Sequence, residues 1–217
     1  FDGGEVVVEA TRIVFAIPFT KLREVDLSGI TLSEDKRAII DQMGYGTNAK
    51  VMIGFSSRAW REEHASSGAL TTDLPIQQTW DTTIGQEGAH GILTNFLGGD
   101  TGLNSDAGEP ADWAANVVPD LETVWPGTAA AYTGEAVRMH WPTVPTMKGS
   151  YACYRPGQWT TICGAEGERV GNLHFAGEHT SLDFQGYMEG GAESGVRAAR
   201  AILVDLGLAA PEAPEEE

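Results

Sequence analysis

Along the chain, apolar and polar positions alternate in short runs and recur at helical spacing in longer ones. Val6–Ala10 and Ile13–Ile17 read as strands, the second buried and ended by Pro18, with a turn at Asp2-Gly3-Gly4. Ser33–Met43 (SEDKRAIIDQM) predicts an amphipathic helix with Ser33 as N-cap and Lys36 and Arg37 on its wet side. Ala49–Phe55 (AKVMIGF) reads as a strand with Lys50 on one face, followed by a loop rich in Ser, Thr and Asp. Gly91–Phe96 predicts another strand, GGDTGLNSDAGEP a long turn region, and Asp112–Val124 a helix that ends before Pro126. Ala136–Trp141 predicts a strand, after which Pro142, Pro145 and Pro156 bracket an irregular segment. Asn172–Ala176 is expected to form a short buried strand leading into FAGEHTSLDFQGYMEGGAESGVRAARAIL, Phe175–Leu203. From Tyr187 onward that stretch reads as a helix, with Glu189, Glu193, Arg197 and Arg200 at solvated spacing. The order is α/β (α+β), without internal repeats.

Composition narrows the function classes. The 217 residues can bury a substantial core, as one large domain or parts of two. No apolar run approaches the roughly 18–20 residues that cross a bilayer, so no membrane span is expected. A net charge of -17, with only 14 Lys and Arg, argues against a nucleic-acid partner, which needs a basic face. The tail PEAPEEE, Pro211–Glu217, supplies part of that charge and is expected to be disordered. Cys153 and Cys163 form neither a CxxC pair nor a disulfide framework, and the five histidines lack metal spacing. The compartment stays open, cytoplasmic or exported. The chain has no initiator Met and begins inside an expected hairpin, which predicts a fragment of a longer protein.

The helix after Tyr187 raises a physical question. Interior glycines cost a helix roughly 0.8–1.0 kcal/mol each, yet its first turns hold Gly190, Gly191, Ala192, Ser194 and Gly195. The first N–H groups of a helix have no internal partners and carry partial positive charge. A helix beginning at Gly186-Tyr187-Met188 therefore offers donors to an electron-rich group, and small residues admit a flat ring or another backbone. On residue type alone, tight packing of helix on sheet is the better account of them. On the residues alone an ordinary surface lysine is likewise the better account of Lys50, and simple core packing of Tyr151 and Tyr187.

Five segments in order decide between these readings: IVFAIP (Ile13–Pro18), NAKVMIGF with Trp60 following, Trp141, GSYACY, and FAGEHT with GYMEGGAESG. Together they resemble the flavin-dependent amine oxidases, the family of monoamine, polyamine and L-amino-acid oxidases, over nearly the whole chain. The resemblance implies the C-terminal part of a two-domain fold. A substrate domain of mixed sheet and helices (residues 23–145) is joined by the last strand and helix of a dinucleotide-binding domain (residues 1–22 and 146–206). Residues 207–217 form the acidic tail.

It also implies roles. The helix N-terminus points at the flavin pyrimidine ring, with the Met188 N–H donating to the flavin O2, beside Gly186 and Tyr187. Gly177 and Glu178 sit by the ribityl and pyrophosphate part, where the glutamate bonds cofactor hydroxyls, and Trp141 lies against the flavin region. Lys50 is the expected catalytic residue. It holds a water against flavin N5, and burial is expected to lower its pKa. Tyr151 and Tyr187 match the aromatic pair that flanks the substrate amine. Ser150 stands where animal monoamine oxidases bind flavin through cysteine, so FAD is expected to be non-covalent.

The implied reaction is hydride transfer from the amine α-carbon to flavin N5, giving an imine that water hydrolyses, while O2 becomes H2O2. TTDLP, Thr71–Pro75, looks more like L-amino-acid oxidases, so an amino-acid substrate remains the alternative. A non-catalytic flavoprotein subunit and a flavin desaturase or isomerase are further alternatives that would not need Lys50 with both tyrosines. No GxGxxG turn is present, and GGDTG, Gly98–Gly102, has the wrong spacing. The expected partner is an N-terminal FAD-binding portion, as a nicked chain or the remainder of a precursor. A homodimer of the completed enzyme is left open.

Overall fold

The computed structural model describes residues 4–208. Asp2 and Gly3 of the expected opening turn and the tail Pro211–Glu217 lie outside them. The elements run β1 (Ile13–Phe15), α1 (Phe19–Leu22), α2 (Glu34–Gln42), β2 (Ala49–Phe55), α3 (Ala59–Glu62), β3 (Leu70–Thr71), β4 (Gln78–Asp81) and β5 (Gly91–Leu97). They continue with α4 (Gly99–Asn104), α5 (Pro110–Val124), α6 (Thr128–Ala131), β6 (Tyr132–His140), α7 (Gln158–Thr161), β7 (Leu173–Phe175) and α8 (Met188–Asp205). The architecture is mixed α/β, with a parallel pair β1–β7 and an antiparallel sheet in the order β3-β4-β5-β2-β6. Two compact units result, one of residues up to Tyr45 and from Tyr151 onward, the other Gly46–Ser150.

In the Gly46–Ser150 unit the sheet follows from period-two patterning. Ala49, Val51, Ile53 and Phe55 of β2 are buried on one face, while Lys50, Met52 and Gly54 face the other way. Cross-strand pairing carries the alternation into β5, where Leu93 and Leu97 join the buried face. Ala114, Val117 and Leu121 of α5 close over it with Trp60 and Trp125. Each such burial contributes about 1.5–3 kcal/mol. Asp81, also buried, accepts from Trp60 Nε1 (2.7 Å), from the main chain and hydroxyl of Thr83, and pairs with Arg61 (2.6 Å).

Several expectations for this unit are corrected. The stretch read as one long turn holds α4 and the start of α5, which opens with a Glu109–Asp112 capping box rather than at Asp112. The expected loop after β2 contains α3, β3 and β4, too short to leave a periodic pattern. Strand β6 starts at Tyr132 and ends at His140. Trp141 opens a single 3-10 turn, because Pro142 has no N–H for the ladder.

The other unit packs Phe19 and Leu22 of α1, Ile39, Ile40 and Met43 near α2, and Phe175 of β7 into a second core. Ser33 caps α2 as its sequence predicts, its Oγ accepting the Lys36 N–H at 3.1 Å. Lys36 itself is corrected. It is 0% exposed, not on the wet side. Its ammonium donates to the carbonyls of Ala165 (2.8 Å) and Glu166 (2.6 Å) and lies 3.5 Å from the Phe175 ring centroid. Burial pushes its pKa down to about 7.

Val6–Ala10 forms no strand and is exposed throughout. Its β-branched residues favour extension, but no strand among the described residues pairs with them. Strand β1 is shorter than expected and its Ile13 and Val14 are exposed, since only β7 lies beside it. On α8, Glu193 and Arg197 are half-buried rather than solvated. Glu193 accepts the Ser181 hydroxyl, and Arg197 donates to Phe175 O, Thr180 O and Thr180 Oγ1.

Candidate functional site

Site residues fall into both units. In the Gly46–Ser150 unit, register sets the surroundings of Lys50. It lies between Phe96 of β5 and Met139 of β6, on the face turned away from the core. Its ammonium stands 5.5 Å from the Trp80 ring centroid and 5.9 Å from that of Phe96. Thr94 and Val137 extend the same face by pairing with Met52. The half-buried Lys50 thus sits on an aromatic and thioether surface. Trp141 follows two residues after Met139 and is half-buried. Ser150 donates through Oγ to Asn48 Oδ1 at 2.6 Å.

Trp80 and Phe96 were missed as neighbours of Lys50. The alternation in GILTNFL could have placed Phe96 on that face, because period two aligns it with Ile92 and Thr94. Trp80 lay in a stretch read as loop.

In the other unit, β7 runs into Ala176-Gly177-Glu178, a 3-10 turn at Glu178–Thr180, and then α8. The buried Ser194 of α8 accepts the Gly177 N–H at 2.9 Å. Arg197, one turn later, holds the Phe175 carbonyl at 3.1 Å and the Thr180 carbonyl at 2.8 Å. His179 is buried edge-on against Phe19, and burial, then Lys36 and Arg197, push its pKa down to about 4.

Glu178 connects three segments. One carboxylate oxygen accepts the Ala152 N–H at 3.0 Å and the other accepts the Gly186 N–H at 2.7 Å. Burial outweighs these two donors and holds its pKa above the usual carboxylate value. Ala152 directly follows Tyr151, and Gly186 directly precedes Tyr187. Gly186 takes φ +86, a conformation that disfavours a side chain, and the Tyr151 ring passes 3.5 Å from where a Cβ would stand. Tyr151 is 38% exposed and Tyr187 is 71% exposed.

No side chain caps α8, and Met188 at its first position is 94% exposed. A Cβ on Gly190 would meet the Phe184 carbonyl oxygen at 2.3 Å, so that glycine serves packing within the chain. A Cβ on Gly191 or Gly195 would meet nothing within 4 Å, so that side of the helix is open among the described residues. The structure therefore brings Tyr151, Glu178, Gly186, Tyr187 and Met188 to one end of α8, with Gly177 behind them. Lys50, Trp141 and Ser150 belong to the Gly46–Ser150 unit.

The family model for flavin containing amine oxidoreductases matches residues 1–203. A putative L-amino-acid oxidase of Bacillus subtilis (strain 168) is 29% identical over 88% of this chain and 40% of its own length. Flavin-containing amine oxidase A of Bos taurus is 25% identical over 92% of this chain and 38% of its own length. Among solved structures, cyclohexylamine oxidase from Brevibacterium oxydans IH-35A matches with a TM-score of 0.83 and 25% identity, covering 94% of this chain and 45% of that one. The chain thus spans about two fifths of the length of the curated relatives it matches. With the family model matched over residues 1–203, the chain belongs to the flavin-containing amine oxidoreductases.

Proposed function

We propose that this chain is the C-terminal part of an FAD-dependent amine oxidase that converts a small primary or secondary amine to an imine. The observation carrying this reading is the pair of exposed tyrosines that one carboxylate ties to the start of α8. The residues present fit a flavin. The uncapped N–H groups of α8 suit an electron-rich ring edge, and the open side at Gly191 and Gly195 admits close approach by a second surface. Gly177, Gly186, Tyr187 and Met188 would hold it; both oxygens of Glu178, which the resemblance gives to cofactor hydroxyls, are taken by main-chain N–H groups, and Trp141 belongs to the Gly46–Ser150 unit. Ser150 cannot form a thioether, which supports non-covalent binding. When bound, the flavin supplies the acceptor for the amine hydride and passes the electrons to O2, yielding H2O2.

The chain's own side chains orient and exclude. Tyr151 and Tyr187 present aromatic faces that guide a neutral or cationic amine. Lys50 positions a water through its ammonium, the water that hydrolyses the imine or assists re-oxidation. The two compact units divide at Tyr45/Gly46 and at Ser150/Tyr151, beside the expected domain boundaries of 22/23 and 145/146. An N-terminal dinucleotide-binding portion completes the protein, and the coverage of the relatives supports this.

An L-amino-acid substrate is the second reading, favoured by TTDLP and by the similarity to the Bacillus subtilis protein. The complete protein, purified with every chain it contains, is expected to be yellow and to bleach anaerobically with an amine. Bleaching only by L-amino acids would select the second reading, and a preparation that takes up no flavin would overturn both.

A further inference from the structure

Glu178 has a post that few surface carboxylates have. The main chain on either side of it is fixed from α8, by Ser194 on Gly177 and by Arg197 on Phe175 and Thr180. The base of its side chain is thereby held in place. Onto this post hang two segments distant in sequence, each through a single main-chain N–H: the one after Tyr151 and the one before Tyr187. Each N–H has a separate oxygen, so the carboxylate works as a two-ended brace of charge-assisted hydrogen bonds. Other bonds hold the same segments: Ser150 N–H to Gly46 O and Cys153 N–H to Gly44 O, both 2.9 Å, flank Tyr151 and Ala152, and Phe184 N–H reaches Ser181 Oγ at 3.0 Å. Ala152 forms an isolated bridge with Tyr45, and the Tyr187 N–H reaches Phe184 O at 3.1 Å.

We propose that Glu178 is a positioning residue that sets the spacing and tilt of Tyr151 and Tyr187, and thereby the substrate range of the site. This rests on the reading that the two tyrosines border the amine's path. Only a carboxylate of this length serves both donors. Glutamine offers one carbonyl and one NH2, so it would set donor against donor at one of the two N–H groups. Aspartate is one methylene short and reaches one segment at a time.

The test uses the complete flavoprotein carrying E178Q, E178D, Y187L and the E178Q/Y187L pair. For an aryl-alkyl amine, E178Q is expected to raise KM about tenfold, one lost charge-assisted hydrogen bond, while flavin content stays unchanged. In the Y187L background the same substitution is expected to change KM less than about twofold, because the ring it positions is gone. Fluorotyrosine NMR, assigned with Y151F and Y187F, is expected to show both resonances moving in E178Q and E178D while the Tyr132 signal stays. That readout needs no turnover. If the wild type oxidises no amine but both signals move, the brace stands and the amine reading falls. Unmoved signals, equal KM effects in both backgrounds, or flavin loss in E178Q would each overturn the proposal, the last by assigning Glu178 to cofactor retention instead.

Discussion

The two units solve the same problem with different means. Gly46–Ser150 closes its sheet over a core of Ile53, Phe55, Trp60 and Leu93, and α5 covers that face. The other unit has a parallel pair of three-residue strands, of which β1 leaves Ile13 and Val14 in the open. Parallel strands are ordinarily covered on both faces. Around its smaller core this unit adds long-range polar ties: Lys36 to the 165–166 carbonyls, Arg197 to 175 and 180, Glu178 to 152 and 186. Where apolar area dominates, geometry follows from pattern. Where single side chains bridge remote segments, geometry depends on a few irreplaceable groups.

That contrast can be broken at its exception. Asp81 is the polar anchor of the apolar unit, and Asp81→Ala leaves Arg61, Trp60 and Thr83 without their acceptor. A loss of about 3–5 kcal/mol is expected in denaturant unfolding, with hydrogen exchange rising in β4 and β5. Lys50→Met sharpens the contrast by separating chemistry from fold. Its side chain lies on the non-core face, so stability should move by less than about 0.5 kcal/mol. Steady-state turnover should fall about 10²-fold.

Lys36→Met tests the polar unit and should cost about 1–3 kcal/mol through two orphaned carbonyls. It carries a pH signature. Burial lowers the Lys36 pKa from 10.5 to about 7, so between those values the unfolded chain binds a proton that the folded chain has released. Stability from this group therefore rises with pH across that window. Melting of the wild type should gain on Lys36→Met between pH 7 and 10. The reverse trend would refute the assignment.

The smallest effect is expected at Gly191→Ala. Open space around it predicts a helix gain of up to about 1 kcal/mol. Flavin retention in the complete protein should nonetheless fall, if a second surface comes close there.

Legibility in the sequence divides along the same line. Strands β2 and β5 were readable because period two leaves a mark in each residue, and Ser33 because a cap is a local event. Lys36 was misread because helical spacing gives a face, not what covers it, and two carbonyls 129 and 130 residues away took the place of water. The run Gly99–Asn104 has poor helix formers, and tertiary context overrode them. For the site, family resemblance supplied Lys50 and the tyrosines by motif. The brace at Glu178 was invisible, since nothing local links positions 152, 178 and 186.

The Gly46–Ser150 unit begins and ends at one place. The Ser150 N–H donates to the Gly46 carbonyl at 2.9 Å, so the two ends of a 105-residue excursion are fastened by one main-chain bond. Insertions whose ends coincide are the ones proteins tolerate and exchange. The excursion is thus a cassette. A recombination event or a designed splice at Gly46 and Ser150 would replace the entire antiparallel sheet, Lys50 included, while α8 kept its own connections.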